Sequence, residues 1–236
     1  MPRTLAVLTL LAAIAFAASP FLSSGFNGFT ANQFLVPQTD PPIQPAGYAF
    51  SIWGLIYLWL IAGTGFGAVA RARADDWQAA RLPLLISLGV GSFWIAVAQA
   101  SVIWATVMIW VMLVAALAAL ARAGTGDRWL QREALGAYAG WLTAASSVSV
   151  GLVLAGYGIT SQMVAAWIGL VLALGIAAAM QRARPDSLAY PGAVIWALVG
   201  VIVTNLDPVN PSVIGLSAIG IVYLGLMAAR NLRTAI

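Results

Sequence analysis

The side chains of this chain that could do chemistry are almost all aromatic. Its 236 residues include no histidine and no cysteine. That removes the commonest general base, the commonest metal ligand, thiolate nucleophiles and disulfides. The carboxylates offer little in their place. Asp40, Glu133 and Asp207 sit at or beyond the ends of apolar stretches, so neither a catalytic pair nor an intramembrane proton relay can be assembled from them. No catalytic residue and no metal site is expected. Tryptophan remains, ten in number, several of them away from the interfaces where Trp usually anchors a span. Phe50, Trp53 and Tyr57 are spaced i, i+3, i+7 and form one stripe on a helix. Tyr138, Trp141, Ala145 and Ser149 form a second, aromatic at one end and small at the other, which leaves room for a ligand or a close helix. Trp94 stands beside Gly89 and Gly91, whereas Trp59, Trp77 and Trp129 suit interfacial anchoring or loops. Filling the core of a helix bundle is the competing reading for any one of these rings. Together they describe a cavity of indoles and phenols suited to a flat aromatic ligand.

The elements that must position these rings follow from where charge is absent. The chain is 62% hydrophobic and 8% charged, against about 25% charged in soluble domains. Residues 82–121 carry no charge; as helix they would run roughly 60 Å, twice a hydrocarbon core of about 30 Å. They must form a hairpin with its turn near Gln99–Ser101. Residues 134–181 repeat the pattern, with a turn at Gly156–Ser161. Single spans fit residues 4–22, 47–70, 187–206 and 208–229. The expectation is an all-α integral membrane protein with eight transmembrane helices.

All eleven basic residues are arginine. With Arg3 in the cytoplasm, Arg71, Arg73 and Arg81 fall on the same side. So do Arg122, Arg128 and Arg132, then Arg182 and Arg184, and finally Arg230 and Arg233. The opposite side keeps Asp40 and Asp207. The positive-inside rule therefore places both termini in the cytoplasm. The scattered arginines do not suggest nucleic-acid binding.

The longest loop, residues 25–46, lies on the outer side with Pro37, Pro41, Pro42 and Pro45. Prolines there prevent either neighbouring helix from continuing, and a loop of this length reads either as a lid or as a solvated connection. Asp207 and Asn210, in the last outer turn, are expected to cap helix ends. The first apolar run, with Ala15–Ser19 after it, reads as a retained helix or a cleavable signal peptide.

Residues 41–57, Pro-Pro-Ile-Gln-Pro-Ala-Gly-Tyr-Ala-Phe-Ser-Ile-Trp-Gly-Leu-Ile-Tyr, resemble the second-helix signature of the TspO/MBR family, the tryptophan-rich sensory and translocator proteins. Ala137–Ala145 resembles that family's fifth-helix motif, with Ala137 where the family has proline and Val148-Ser149 where it has Leu-Asn. The resemblance implies a five-helix membrane core over residues 1–158, followed by three additional transmembrane helices over 159–236, as in the longer bacterial members. It also implies a retained first helix. Carried over by position, it implies a flat hydrophobic ligand, a porphyrin or haem-like tetrapyrrole, held between the first, second and fifth spans by Tyr48, Phe50, Trp53, Tyr57, Tyr138 and Trp141. Trp94 and Ser149 join that set from the stripes. The expected role is that of a membrane sensor or translocator in the bacterial inner membrane. No cofactor is required; the partners are the bilayer and a hydrophobic small molecule, with a homodimer as one arrangement. A small-solute exporter and a non-catalytic subunit or assembly factor of a membrane complex are the alternatives.

Overall fold

A computed structural model describes residues 2–23 and 25–234, with side chains as far as Asn231; the side chain of Arg233 lies outside this set. The described residues form eight α-helices: α1 (Pro2–Ala18), α2 (Ile52–Val69), α3 (Asp75–Ala100), α4 (Val102–Arg122), α5 (Ala134–Gly156), α6 (Gln162–Ala183), α7 (Ala189–Thr204) and α8 (Pro211–Thr234). Seven of these helical segments are long and apolar enough to cross a membrane; α7 is apolar but has only 16 residues, about 24 Å of helix.

Both hairpin turns fall where the uncharged runs require them. Ser101, in extended conformation, ends α3 and accepts a hydrogen bond from the Trp104 N–H to start α4. Ser161 does the same for α6 through the Val164 N–H, after Gly158 turns the chain at φ +70°. These are the short polar side chains that satisfy open N–H groups at a helix start.

The segment before α2 is more ordered than a proline-rich connection suggests. Thr30 and Gln33 close a capping box around the 3₁₀ turn Ala31–Gln33. A second 3₁₀ segment, Gly47–Ser51, precedes α2. Phe50 therefore lies on a tighter turn than Trp53 and Tyr57. Residues three apart eclipse there, so Phe50 still joins their face.

Helix α5 is the axis of the bundle. Of its most apolar window 72% is buried, against 22–39% in the other spans. It packs on α2, α4, α6 and α7, while α1 lies against α2 and α3, and α8 closes over α6 and α7. Small residues permit the close approaches. A Cβ added at Gly140 would strike the Tyr190 carbonyl on α7, and one at Gly63 on α2 would strike the Leu130 carbonyl.

Charge is gathered at one end of the bundle, as the arginine spacing requires. Arg71 pairs with Asp127 at 2.8 Å, Arg132 with Asp186 at 2.8 Å, Arg184 with Asp186 at 3.0 Å and Arg128 with Glu133 at 3.0 Å. Buried Arg81 donates to the carbonyls of Gly67, Arg71 and Ala72, where α2 ends. The hydrogen bond from Arg71 holds the Asp127 carboxyl below the usual carboxylate range, although its partial burial opposes this. Burial raises Asp186, but Arg184 and Arg132 outweigh it and leave its carboxyl low.

One sequence-based expectation changes here, and a second gains detail. Trp77 is neither a loop residue nor an exposed anchor: it is 5% exposed, its ring packs against Gly67, and its N–H donates to Asp127 at 2.9 Å. Glu133 sits at a helix end, as expected, yet is 1% exposed. Its Oε2 accepts the backbone N–H groups of Leu188 and Ala189 at 2.9 and 2.8 Å. It thus places a negative charge on the open N–H groups at the start of α7.

Candidate aromatic ligand site

The two stripes meet. Phe16 of α1 stands edge-on to Trp53 at 5.5 Å, to Tyr57 at 5.1 Å and to Tyr138 at 5.7 Å. Trp53 stacks on Tyr57 at 5.2 Å and 16° and meets Trp141 edge to face at 6.2 Å and 82°. Phe50 meets Trp141 edge-on at 5.8 Å. Edge-to-face contacts of this kind align the positive rim of one ring with the negative face of the next. Trp53 and Trp141 therefore form a corner rather than two parallel walls.

That corner separates two cavities. The smaller, about 40 Å³, is lined by Phe50, Trp94, Trp141, Ala145 and Ser149. The larger, about 220 Å³, is lined by Phe16, Phe50, Trp53, Tyr57 and Trp94. Ligand pockets usually measure about 300–1,000 Å³, so both are smaller than a usual ligand site. The smaller is almost wholly apolar, while the larger adds Asn27 to its apolar walls. The Ser149 hydroxyl is occupied by the Ser146 carbonyl. The buried indole N–H of Trp141 has no hydrogen-bond partner among the described residues, and an unpaired buried donor is costly enough to call for an explanation.

Of the eight residues the sequence singles out, Phe50, Trp53, Tyr57, Trp94, Trp141 and Ser149 line one or both cavities. Tyr138 is fully buried behind them, its hydroxyl 2.8 Å from that of Ser87. Tyr48 lies apart, 45% exposed and edge-on to Trp196 at 5.6 Å. Tyr48 and Phe50 are two positions apart on a 3₁₀ segment, about 240° around an axis with three residues per turn, so they point in different directions.

Several residues of the site carry little sequence signal. Phe16 is a lone ring in a helix of alanine and leucine. Phe26 and Phe29 belong to the long loop, yet their rings meet Trp94 at 4.7 and 6.5 Å. Phe26 borders both cavities and hangs between Gly25 and Gly28, whose φ values of +74° and +112° favour glycine. The loop is fastened farther on. Gln33 donates to the Ala98 carbonyl at 2.8 Å, and the Val36 N–H to that of Gly156 at 2.8 Å.

Helix α7 fixes the other end of the loop. Asn205 donates to the Pro42 carbonyl at 2.7 Å, and Trp196 to the Ala49 carbonyl at 2.8 Å. Asn210 braces Asn205 through a 2.9 Å side-chain bond, a different use from the cap its position suggests. The later helices thus help to hold the entrance to the site.

Comparison with curated proteins and with solved structures gives no match. A family model does match, and its span of residues 4–230 covers α6, α7 and nearly all of α8 as well as the first five helices. With its apolar helices, this makes the protein a multi-pass membrane protein, and by that match the chain belongs to the TSPO-like protein family.

Proposed function

We propose that the protein is a membrane sensor or translocator that binds a flat hydrophobic ligand, of porphyrin or related tetrapyrrole class, among α1, α2, α5 and the 25–46 loop. It would lie in the bacterial inner membrane, crossing it eight times with both termini cytoplasmic. The one-sided arginines support that orientation.

The observation that carries the ligand reading is the shared aromatic partition. Phe26, Phe50 and Trp94 border both cavities. Withdrawing the loop-borne Phe26 about its two glycines would join the cavities and add the volume of its own ring. The unpaired Trp141 N–H would then meet an acceptor on the ligand, and Trp53 would offer the indole face that Tyr57 leaves free.

The test is titration of protoporphyrin against intrinsic Trp fluorescence in detergent. Stacking on an indole is worth about 0.5–1.5 kcal/mol beyond area burial. Trp53→Leu and Trp141→Leu should each weaken binding roughly three- to tenfold, and the double variant should depart from additivity because the rings touch. Phe26→Ala should speed association. Trp167 on α6, which donates to Ser212 of α8, supplies the control. Trp196 cannot, because it holds Ala49 beside the site. Equal weakening by Trp167→Leu, or no effect of Trp53→Leu, would place the ligand elsewhere.

A further inference from the structure

Across α4 from the aromatic cavities, a groove of about 810 Å³ opens on the surface of the bundle. It runs along α4 from Thr106 to Ala118, about 18 Å at 1.5 Å per residue, with Pro83 and Ile86 of α3 and Val150 of α5 on its flanks. Its walls are valine, alanine, isoleucine and proline, except at one end. There Thr106 and Trp110, one helical turn apart, both line it. Their hydroxyl and indole N–H are buried and have no hydrogen-bond partner among the described residues.

Among the described residues Trp141 and Ser217 share this lack, whereas several other helix-borne hydroxyls and indoles are paired. Thr9, Thr64, Thr143 and Thr204, the other threonines within the body of a helix, each donate to the carbonyl four residues back. The indoles of Trp59, Trp77, Trp94, Trp167 and Trp196 all have acceptors. Helix α4 has 21 residues, about the thickness of a hydrocarbon core. Thr106 and Trp110 lie roughly 6 and 12 Å inside its arginine-poor end. Water is scarce at that depth, and an unpaired polar group there is expensive.

We propose that this groove binds a molecule of isoprenoid-quinone type: an uncharged flat head with carbonyl acceptors and a long apolar tail. The head would accept hydrogen bonds from Trp110 and Thr106, and the tail would lie along Val111, Val114 and Ala118 toward the arginine-rich end. A phospholipid fits less well. Its ester carbonyls lie near the hydrocarbon boundary, above Trp110, and its charged headgroup cannot follow them down. The site is separate from the aromatic cavities, and binding there does not depend on their ligand.

The experiment uses the full chain in nanodiscs and native mass spectrometry, with decylubiquinone as probe and 1-phenyldecane as its oxygen-free counterpart. Trp110→Phe keeps the bulk of a ring and removes the N–H; Thr106→Val keeps the shape and removes the hydroxyl. Each should weaken decylubiquinone roughly three- to tenfold, the range of one neutral hydrogen bond, and leave phenyldecane unchanged. Should Trp110→Phe fail to insert, Thr106→Val reads the same contrast alone. Equal effects on both probes, or none on decylubiquinone, overturn the proposal. So does a phospholipid that decylubiquinone does not displace. The chain has no cysteine, so Val111→Cys supplies a clean cross-link; a disulfide dimer in membranes would assign the groove to a second copy instead.

Discussion

At its arginine-rich end α5 is held by directed bonds; at its other end it is held mainly by shape. Glu133, just before α5, receives Arg128 and two N–H groups of α7, while Arg132 reaches Asp186, which also receives Arg184. Arg184 in turn donates to the carbonyls of Leu120 and Ala123, where α4 stops. Four helix ends are tied in one network. Farther along, Trp141, Ala145 and Ser149 face rings that meet edge-on, with empty space between them. Charge-assisted bonds have narrow geometry and lose much when displaced. Apolar rings can exchange one edge-on contact for another at small cost. The difference teaches that one end of this bundle serves as an anchor, while the other is the part that would open for a ligand under the proposed function.

The comparison breaks most readily at Glu133. Replacing Glu133 by Ala frees the partly exposed Arg128 and leaves the Leu188 and Ala189 N–H groups without their buried acceptor, and each unmet buried donor costs about 1–3 kcal/mol. A large fall in thermal midpoint in detergent is expected. A shift of a degree or two would mean that the charged end is not the anchor.

Gly140 gives the next largest effect. Gly140→Val would drive a side chain into the Tyr190 carbonyl; overpacking of this kind costs about 1–3 kcal/mol. Because α7 also holds Pro42 and Ala49, the same change should loosen the loop and raise its protease sensitivity. Destabilisation with an unchanged loop would separate α7 from the site.

The smallest effect is on pH dependence. Asp127 and Asp186 have carboxyls held below their ordinary value near 3.8. Their contribution is present above that value and is lost as pH falls through the lower folded one. Both ion pairs are partly exposed to solvent, so the loss should be under about 1 kcal/mol. Melting between pH 5 and 3 should show it, and Asp186→Asn should flatten the slope. A slope unaffected by Asp186→Asn would assign acid sensitivity to other groups.

The sequence by itself determined the number and order of the helices, both tight turns, the gathering of arginine at one end and the face shared by Phe50, Trp53 and Tyr57. Each follows from a local quantity: the length of an uncharged run, a short polar cap, or residue spacing along one helix. Only the tertiary structure decided that Phe16 and Phe26 complete the site, that Tyr48 points away, and that Glu133 and Trp77 are buried. It also decided that α7 braces the loop through Asn205 and Trp196. The physical reason is the same in each case. These contacts join residues distant in sequence, and in a chain this apolar the hydrophobic pattern cannot tell a lipid-facing surface from a helix-facing one. Helix–helix packing chooses between them, through glycines that allow close approach and through the few polar groups that must find partners.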